Sequence, residues 1–259
     1  MKQMNDPIVV IGTGEMSGVF TRGFLKQGYP VFPVTRQMEM AKVARALVAP
    51  ALVLVAVGEN DLHPALEQIP EAWRDCLALL QNELLPRDWQ AHGLQAPTVI
   101  SVWFEKKKGQ DYKVLVPSPV YGGGAPLIEA AMAALDIPTW EVVGAAEMEF
   151  ELVRKNVYIL TTNIAGLALP PGTDVDVMWR DHQPLAREIA NEVMDIQFKL
   201  IGRELDRAKL IEGMVEGIKG DLEHKCMGRS APGRLKRNLG FADEFGLAVP
   251  KLRTIAAST

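Results

Sequence analysis

The sequence predicts an α/β domain followed by an all-helical one, and three observations carry that prediction. The first is the stretch 8–25. There Ile8, Val9, Val10 and Ile11 run into Gly12-Thr13-Gly14-Glu15-Met16-Ser17-Gly18, and Met16, Phe20 and Phe24 then recur four apart. The second is the return of short apolar runs, closed by glycine, asparagine or proline, as far as residue 143. The third is their near disappearance after Glu147, where helical patterns dominate 147–167, 184–201, 205–218 and 233–245. Strands alternating with helices argue a parallel sheet, and helices alone argue a bundle. The boundary falls near Gly144, dividing the chain into 1–144 and 145–259.

Four β-branched apolar residues in succession suit a strand buried on both faces, and the four-residue spacing that follows suits a helix packed on a sheet. The turn between them has glycine at the first two positions of a G-x-G-x-x-G pattern, with Ser17 at the third and Gly18 behind it. The first glycine permits a tight turn, the second lets backbone approach a pyrophosphate, and the third position governs close packing. N–H groups at the helix start then hold phosphate. Strand, glycine turn and helix in this order mark a Rossmann-type dinucleotide-binding domain, with Gly12, Thr13, Gly14, Glu15, Met16 and Ser17 as its cofactor-binding residues. The alternative is a glycine turn that binds nothing.

The second strand, 29–34, carries prolines that suit an irregular or edge-like course. It ends at Thr35-Arg36, where NAD-selective sites place an acidic residue for the ribose hydroxyls. A guanidinium there bonds a 2′-phosphate, so the residues favour NADP; a surface arginine is the alternative. A short helix over 38–47 precedes a third strand, 51–57, ending at Val57-Gly58, and a helical segment at 61–66. A fourth strand, 76–80, ends at Gln81-Asn82. Ligands of open α/β sheets lie beyond the carboxyl ends of the strands, so Gly12, Arg36, Gly58 and Asn82 share one rim. Residues 98–104 read as a further strand, Lys106-Lys107-Lys108-Gly109 as a solvated turn, and 114–116 as its hairpin partner. Pro117-Ser118-Pro119 and Gly122-Gly123-Gly124 read as breaks, 128–135 as helix and 140–143 as a last strand.

The chain has 259 residues, 48% of them hydrophobic, which is enough for one large core or two ordinary ones. A net charge of −4 supplies no basic field for nucleic acid. Two cysteines, Cys76 and Cys226, argue against a disulfide framework and suit a reducing cytoplasm. No cationic-then-apolar leader precedes the first strand, and the apolar runs are too short for a bilayer. His224-x-Cys226 is the nearest approach to a metal-ligand pair, and two ligands do not make a site, so no metal is expected.

Within 147–167, Lys155 and Asn163 lie eight residues apart, about two helical turns, with Thr162 beside them. One helix face thus carries a lysine able to protonate a carbonyl oxygen, an asparagine able to orient the substrate, and a hydroxyl. A solvated lysine and a helix-packing asparagine are the alternative. The stretch 224–237 adds Lys225, Arg229, Ser230, Arg234, Lys236 and Arg237, which suits either an anionic substrate group or a surface basic patch.

Gly12-x-Gly14, Arg36, Gln81-Asn82-Glu83, Lys155-x7-Asn163, Gly228-Arg229 and 246–250 together resemble the ketopantoate reductase family, in order and spacing, over most of the chain. That resemblance implies a Rossmann domain and a C-terminal helical domain like that of 6-phosphogluconate dehydrogenase. It also implies NADP as cofactor, a homodimer, and reduction of a small 2-oxo acid or related anionic carbonyl compound in a cleft between the domains. Lys155 takes the proton-donor role, Asn163 the positioning role, and Thr162, Ser230 and Arg234 line the substrate. Departures are visible: Ile159 replaces the middle asparagine of K-x-x-x-N-x-x-x-N, Gly58 replaces a lysine, and Gly233-Arg234-Leu235 replaces T-E-I. A guanidinium cannot accept the hydroxyl bonds of the family glutamate, which argues against pantoate itself as product. The rival class is a non-catalytic NADP-binding scaffold or redox sensor that kept the fold.

Overall fold

A computed structural model describes residues 5–258. The chain divides into two compact units, Met1–Glu151 and Leu152–Thr259, with the division falling inside a long helix.

The first unit is built on a seven-stranded sheet. β1 (Ile8–Ile11) lies between β2 (Val31–Val34) and β3 (Leu52–Val55), all parallel; β4 (Leu77–Leu79) and β5 (Thr98–Ile100) extend the sheet in parallel. Every residue of β1 and β3 is buried, as their unbroken apolar runs require. The chain leaves β1 to one side for β2 and returns across it to β3. Connections therefore diverge at the carboxyl ends of β1 and β3, which opens a crevice there. α1 (Glu15–Lys26) packs on α5 (Ala125–Ala133), and α2 (Met40–Ala46) and α3 (Leu62–Glu67) flank β2 and β3 in sequence. Phe20 and Phe24 of α1 are fully buried, their ring centroids 6.3 Å apart. Each contributes about 2–3 kcal/mol of apolar burial.

Two sequence expectations are corrected here. Residues 98–104 are not one strand: β5 stops at Ile100, and β6 (Phe104–Lys106) starts a separate two-stranded sheet with β7 (Tyr112–Val114). The stretch with Pro117-Ser118-Pro119 does not simply break the chain, because β8 (Ser118–Tyr121) runs antiparallel to β5 and parallel to β9 (Thr139–Glu141). Ser118 N–H donates to Pro138 and the Val120 carbonyl accepts from Val142, so the residues on either side of Pro119 serve β9. Pro119 faces β5 and uses only its carbonyl, which accepts from Ser101 at 3.0 Å. A proline is tolerated where its missing N–H would fall beyond the end of the ladder.

α4 (Pro86–Gln90) also belongs to the first unit, and α6 (Ala145–Ala168), the helix in which the division falls, starts directly after Gly144. Five helices follow: α7 (Val175–Asp181), α8 (Gln183–Ile201), α9 (Arg207–Gly220), α10 (Ala231–Glu244) and α11 (Pro250–Ser258). Among the described residues of this unit, extended pairing is limited to an isolated bridge between Asp174 and Lys225. α8, α9 and α10 lie where periodicity places them. α7 and α11 are additions to the helices that periodicity predicts. α7 is capped locally, by Asp174 accepting from Val177 at 2.9 Å. α11 is capped from afar: the Glu192 carboxylate accepts from Lys251 and Leu252 at 2.8 and 2.9 Å. The cap is supplied 59 residues away, and the local start signal is Pro250 at the first helical position, which reads equally as a break. Among the described residues no helix is long and apolar enough to cross a membrane.

Candidate functional site

In the first unit a cleft of about 680 Å³ lies over the carboxyl ends of β1, β2 and β3. Its walls include Gly12, Thr13 and Gly14, then Thr35 and Arg36, then Val57 and Gly58. The sequence thus located three separate turns, and the sheet order brings them to one place. Gly12 has φ +99°, and a Cβ there would sit 2.5 Å from the Ala56 carbonyl oxygen. Only glycine allows β1 to turn so close to β3. Gly14 caps α1 with extended backbone, and a Cβ on it would meet nothing within 4 Å. The two glycines therefore differ: Gly12 is required by the protein's own packing, whereas Gly14 leaves open space above a helix start. That open cradle, facing N–H groups that lack intrahelical partners, has room and donors that fit a dinucleotide pyrophosphate.

Ser17 is buried, and its hydroxyl donates to the Gly14 carbonyl at 2.6 Å. It ties the first helical turn to its cap. Close packing is provided elsewhere, at Gly23, where a Cβ would lie 2.4 Å from the Ala131 carbonyl of α5. Met16 is half-buried, packed on the sheet core. Glu15 pairs with Lys106 at 3.1 Å. Lys106 is not part of the solvated turn that the sequence suggests: it belongs to β6 and its side chain is only 19% exposed. Arg36 donates to Asp61 at 2.8 Å across the cleft mouth, a partner that sequence spacing did not reveal.

Gln81 is buried and donates to the carbonyls of Val55 and Val57 at 2.6 and 3.3 Å, stitching β4 to the end of β3. Asn82 follows it, half-buried. Glu83 then adopts φ +62°, a left-handed conformation that glycine enters freely and glutamate does not.

In the second unit α6 carries a line of buried polar residues. Lys155 is 6% exposed, so it is not a solvated lysine. Asn163, two turns on, donates through Nδ2 to the Cys226 carbonyl at 3.2 Å and accepts through Oδ1 from Arg234 Nη1 at 2.7 Å. Arg234 sits in the first turn of α10 and is itself buried. Two residues singled out 71 positions apart are thus in direct contact. The Thr162 hydroxyl donates back to the Tyr158 carbonyl at 2.9 Å, committing its one proton to the helix. Ser230, Lys225, Arg229 and Lys236 are exposed, and Lys225 lies 3.7 Å from Asp174. Of the basic stretch, Arg234 turns into the protein while these three cations face water. Burial, with the Asp174 charge, pushes the Cys226 thiol up to about 12. Both cysteines are free.

No protein-family model and no curated protein matches the chain. Solved structures do. A ketopantoate reductase family protein from Ralstonia eutropha JMP134 superposes with TM-score 0.67 at 15% identity, covering 96% of this chain and 96% of that one. The fold is that of the ketopantoate reductases. A dimeric ketopantoate reductase from Staphylococcus aureus matches at TM-score 0.64 and 13% identity, over 97% of this chain and 96% of its own. D-mandelate dehydrogenase in complex with NADH shares the fold at TM-score 0.65 and 12% identity, over 97% and 96%. Identities this low establish the ketopantoate reductase fold across nearly the whole chain, and chemistry has to be argued from the site.

Proposed function

We propose that the protein is an NADP-dependent oxidoreductase that reduces a small 2-oxo acid or a related anionic carbonyl compound. One observation carries this reading: α6 holds a buried lysine two turns from an asparagine whose amide is fixed by bonds to Arg234 and the Cys226 carbonyl. Burying an ammonium and a guanidinium is costly, and such arrangements concentrate at functional sites. The solved structures that share this fold include a ketopantoate reductase and a D-mandelate dehydrogenase bound to NADH, which supports a nicotinamide cofactor and a 2-oxo acid.

In this reading Gly12, Gly14 and the start of α1 hold the pyrophosphate, and Arg36 bonds the 2′-phosphate. A nicotinamide held there would supply the hydride that reduces the carbonyl carbon. As the C=O π pair moves onto oxygen, Lys155 Nζ gives that oxygen a proton and is later reprotonated by water. Asn163 has one N–H left after its bond to Cys226, so it presents a donor to a substrate oxygen. The charge of Arg234 beside it favours a carboxylate. The dimeric reductase of the same fold supports a homodimer.

The test is oxidation of NADPH by purified protein over a panel of 2-oxo acids. Turnover with at least one is expected, and Lys155→Ala should lower kcat by about 10²–10⁴-fold. Activity unchanged in Lys155→Ala removes that lysine from the mechanism. NADPH binding without turnover on any carbonyl compound favours the non-catalytic scaffold, for which Ile159 at the middle position of the lysine–asparagine motif is the motivating departure.

A further inference from the structure

We infer that Asp61 is a cofactor-discriminating residue: it holds Arg36 at the cleft mouth and tempers selection for a 2′-phosphate, so that the cleft prefers NADP over NAD less strongly than it would with Arg36 alone. The inference rests on the dinucleotide reading of the cleft. Arg36 follows β2 and Asp61 precedes α3, so two separate strand ends meet at the ion pair, with Arg36 Nη2 2.8 Å from Asp61 Oδ2. Both residues line the cleft. Their side chains are 84% and 49% exposed, and a pair so wet contributes little to the fold. Its consequence is for whatever enters the cleft. An unpaired guanidinium would meet a 2′-phosphate with a full positive charge. Paired, it meets the phosphate with its charge largely offset and a carboxylate alongside. The same carboxylate can accept from ribose hydroxyls, the service an acidic residue at the end of the second strand performs in NAD-selective sites. Position 36 alone therefore favours NADP, while the pair Arg36–Asp61 offers a recognition group to either cofactor.

Asp61 makes no side-chain cap bond to α3, so replacing it removes no helix cap. Asp61→Asn and Asp61→Ala would be titrated with NADPH and NADH beside the unmodified protein, following cofactor fluorescence at low and high salt. AMP and adenosine 2′,5′-bisphosphate would serve as competing fragments. Both variants should bind NADPH and the bisphosphate about three- to tenfold more tightly at low salt. NADH and AMP should both bind equally or less well, and the gain for NADPH and the bisphosphate should shrink as salt rises. An NADPH-to-NADH preference unchanged in both variants overturns the role of Asp61 and leaves the cofactor assignment standing. If the unmodified protein binds neither nucleotide, the cofactor assignment fails and this inference falls with it.

Discussion

The glycine turn of the first unit and the α6 polar line of the second solve opposite problems. At the turn the protein withholds side chains: Gly12 fits against the Ala56 carbonyl, and Gly14 opens onto unfilled space. Its charged side chains, Arg36 and Asp61, stand in water at the rim. On α6 the protein does the reverse. Lys155, Asn156, Thr161, Thr162 and Asn163 are all buried, Asn156 donates to Gln197 at 3.0 Å, and Asn163 is held from two directions. The difference teaches that a turn can be specified by backbone shape and by the side chains it leaves out. A line of buried polar residues needs side chains whose positions are set by tertiary bonds, since buried polar groups are costly unless partnered.

The largest effect should separate the two glycines of the turn. Gly12→Ala forces a Cβ to 2.5 Å from a carbonyl oxygen at φ +99°, and should cost about 2–4 kcal/mol in chemical denaturation. Gly14→Ala should change stability by under about 1 kcal/mol and yet weaken NADPH binding, because its methyl group enters the space assigned to phosphate. Equal stability losses in the two variants would erase the distinction between a structural and a ligand-facing glycine.

A smaller effect should appear on α6. Asn163→Leu removes the acceptor for Arg234 and the donor for Cys226, at a cost of about 2–3 kcal/mol. Arg234→Met should cost less. The double variant should be more stable than the two single losses predict, by about 1–2 kcal/mol of coupling. Strict additivity would mean that the 2.7 Å bond does not hold the amide in place. The smallest effect returns to the first unit. Glu83→Gly should stabilise by about 0.5–1 kcal/mol, because glycine relieves the left-handed backbone at φ +62°. A destabilised variant would show that Glu83 side-chain interactions outweigh the strain.

The legible part of this protein is local. Unbroken apolar runs at 8–11 and 51–57, the glycine turn and the long helix around Lys155 mark themselves, because strand burial, tight turning and helical periodicity act over a few residues. They determine the α/β-then-helical order and the glycine turn between β1 and α1. The pairing of distant groups is not written at that range. Nothing near Arg36 announces Asp61, 25 residues on, and nothing near Asn163 announces Arg234, 71 residues on. Pro119 reads as a break until the sheet supplies a place that needs only its carbonyl, and Pro250 reads as a break until Glu192 caps the helix it starts. Each was decided by which segments pack together, since a hydrogen bond or ion pair depends on three-dimensional proximity rather than on sequence neighbours.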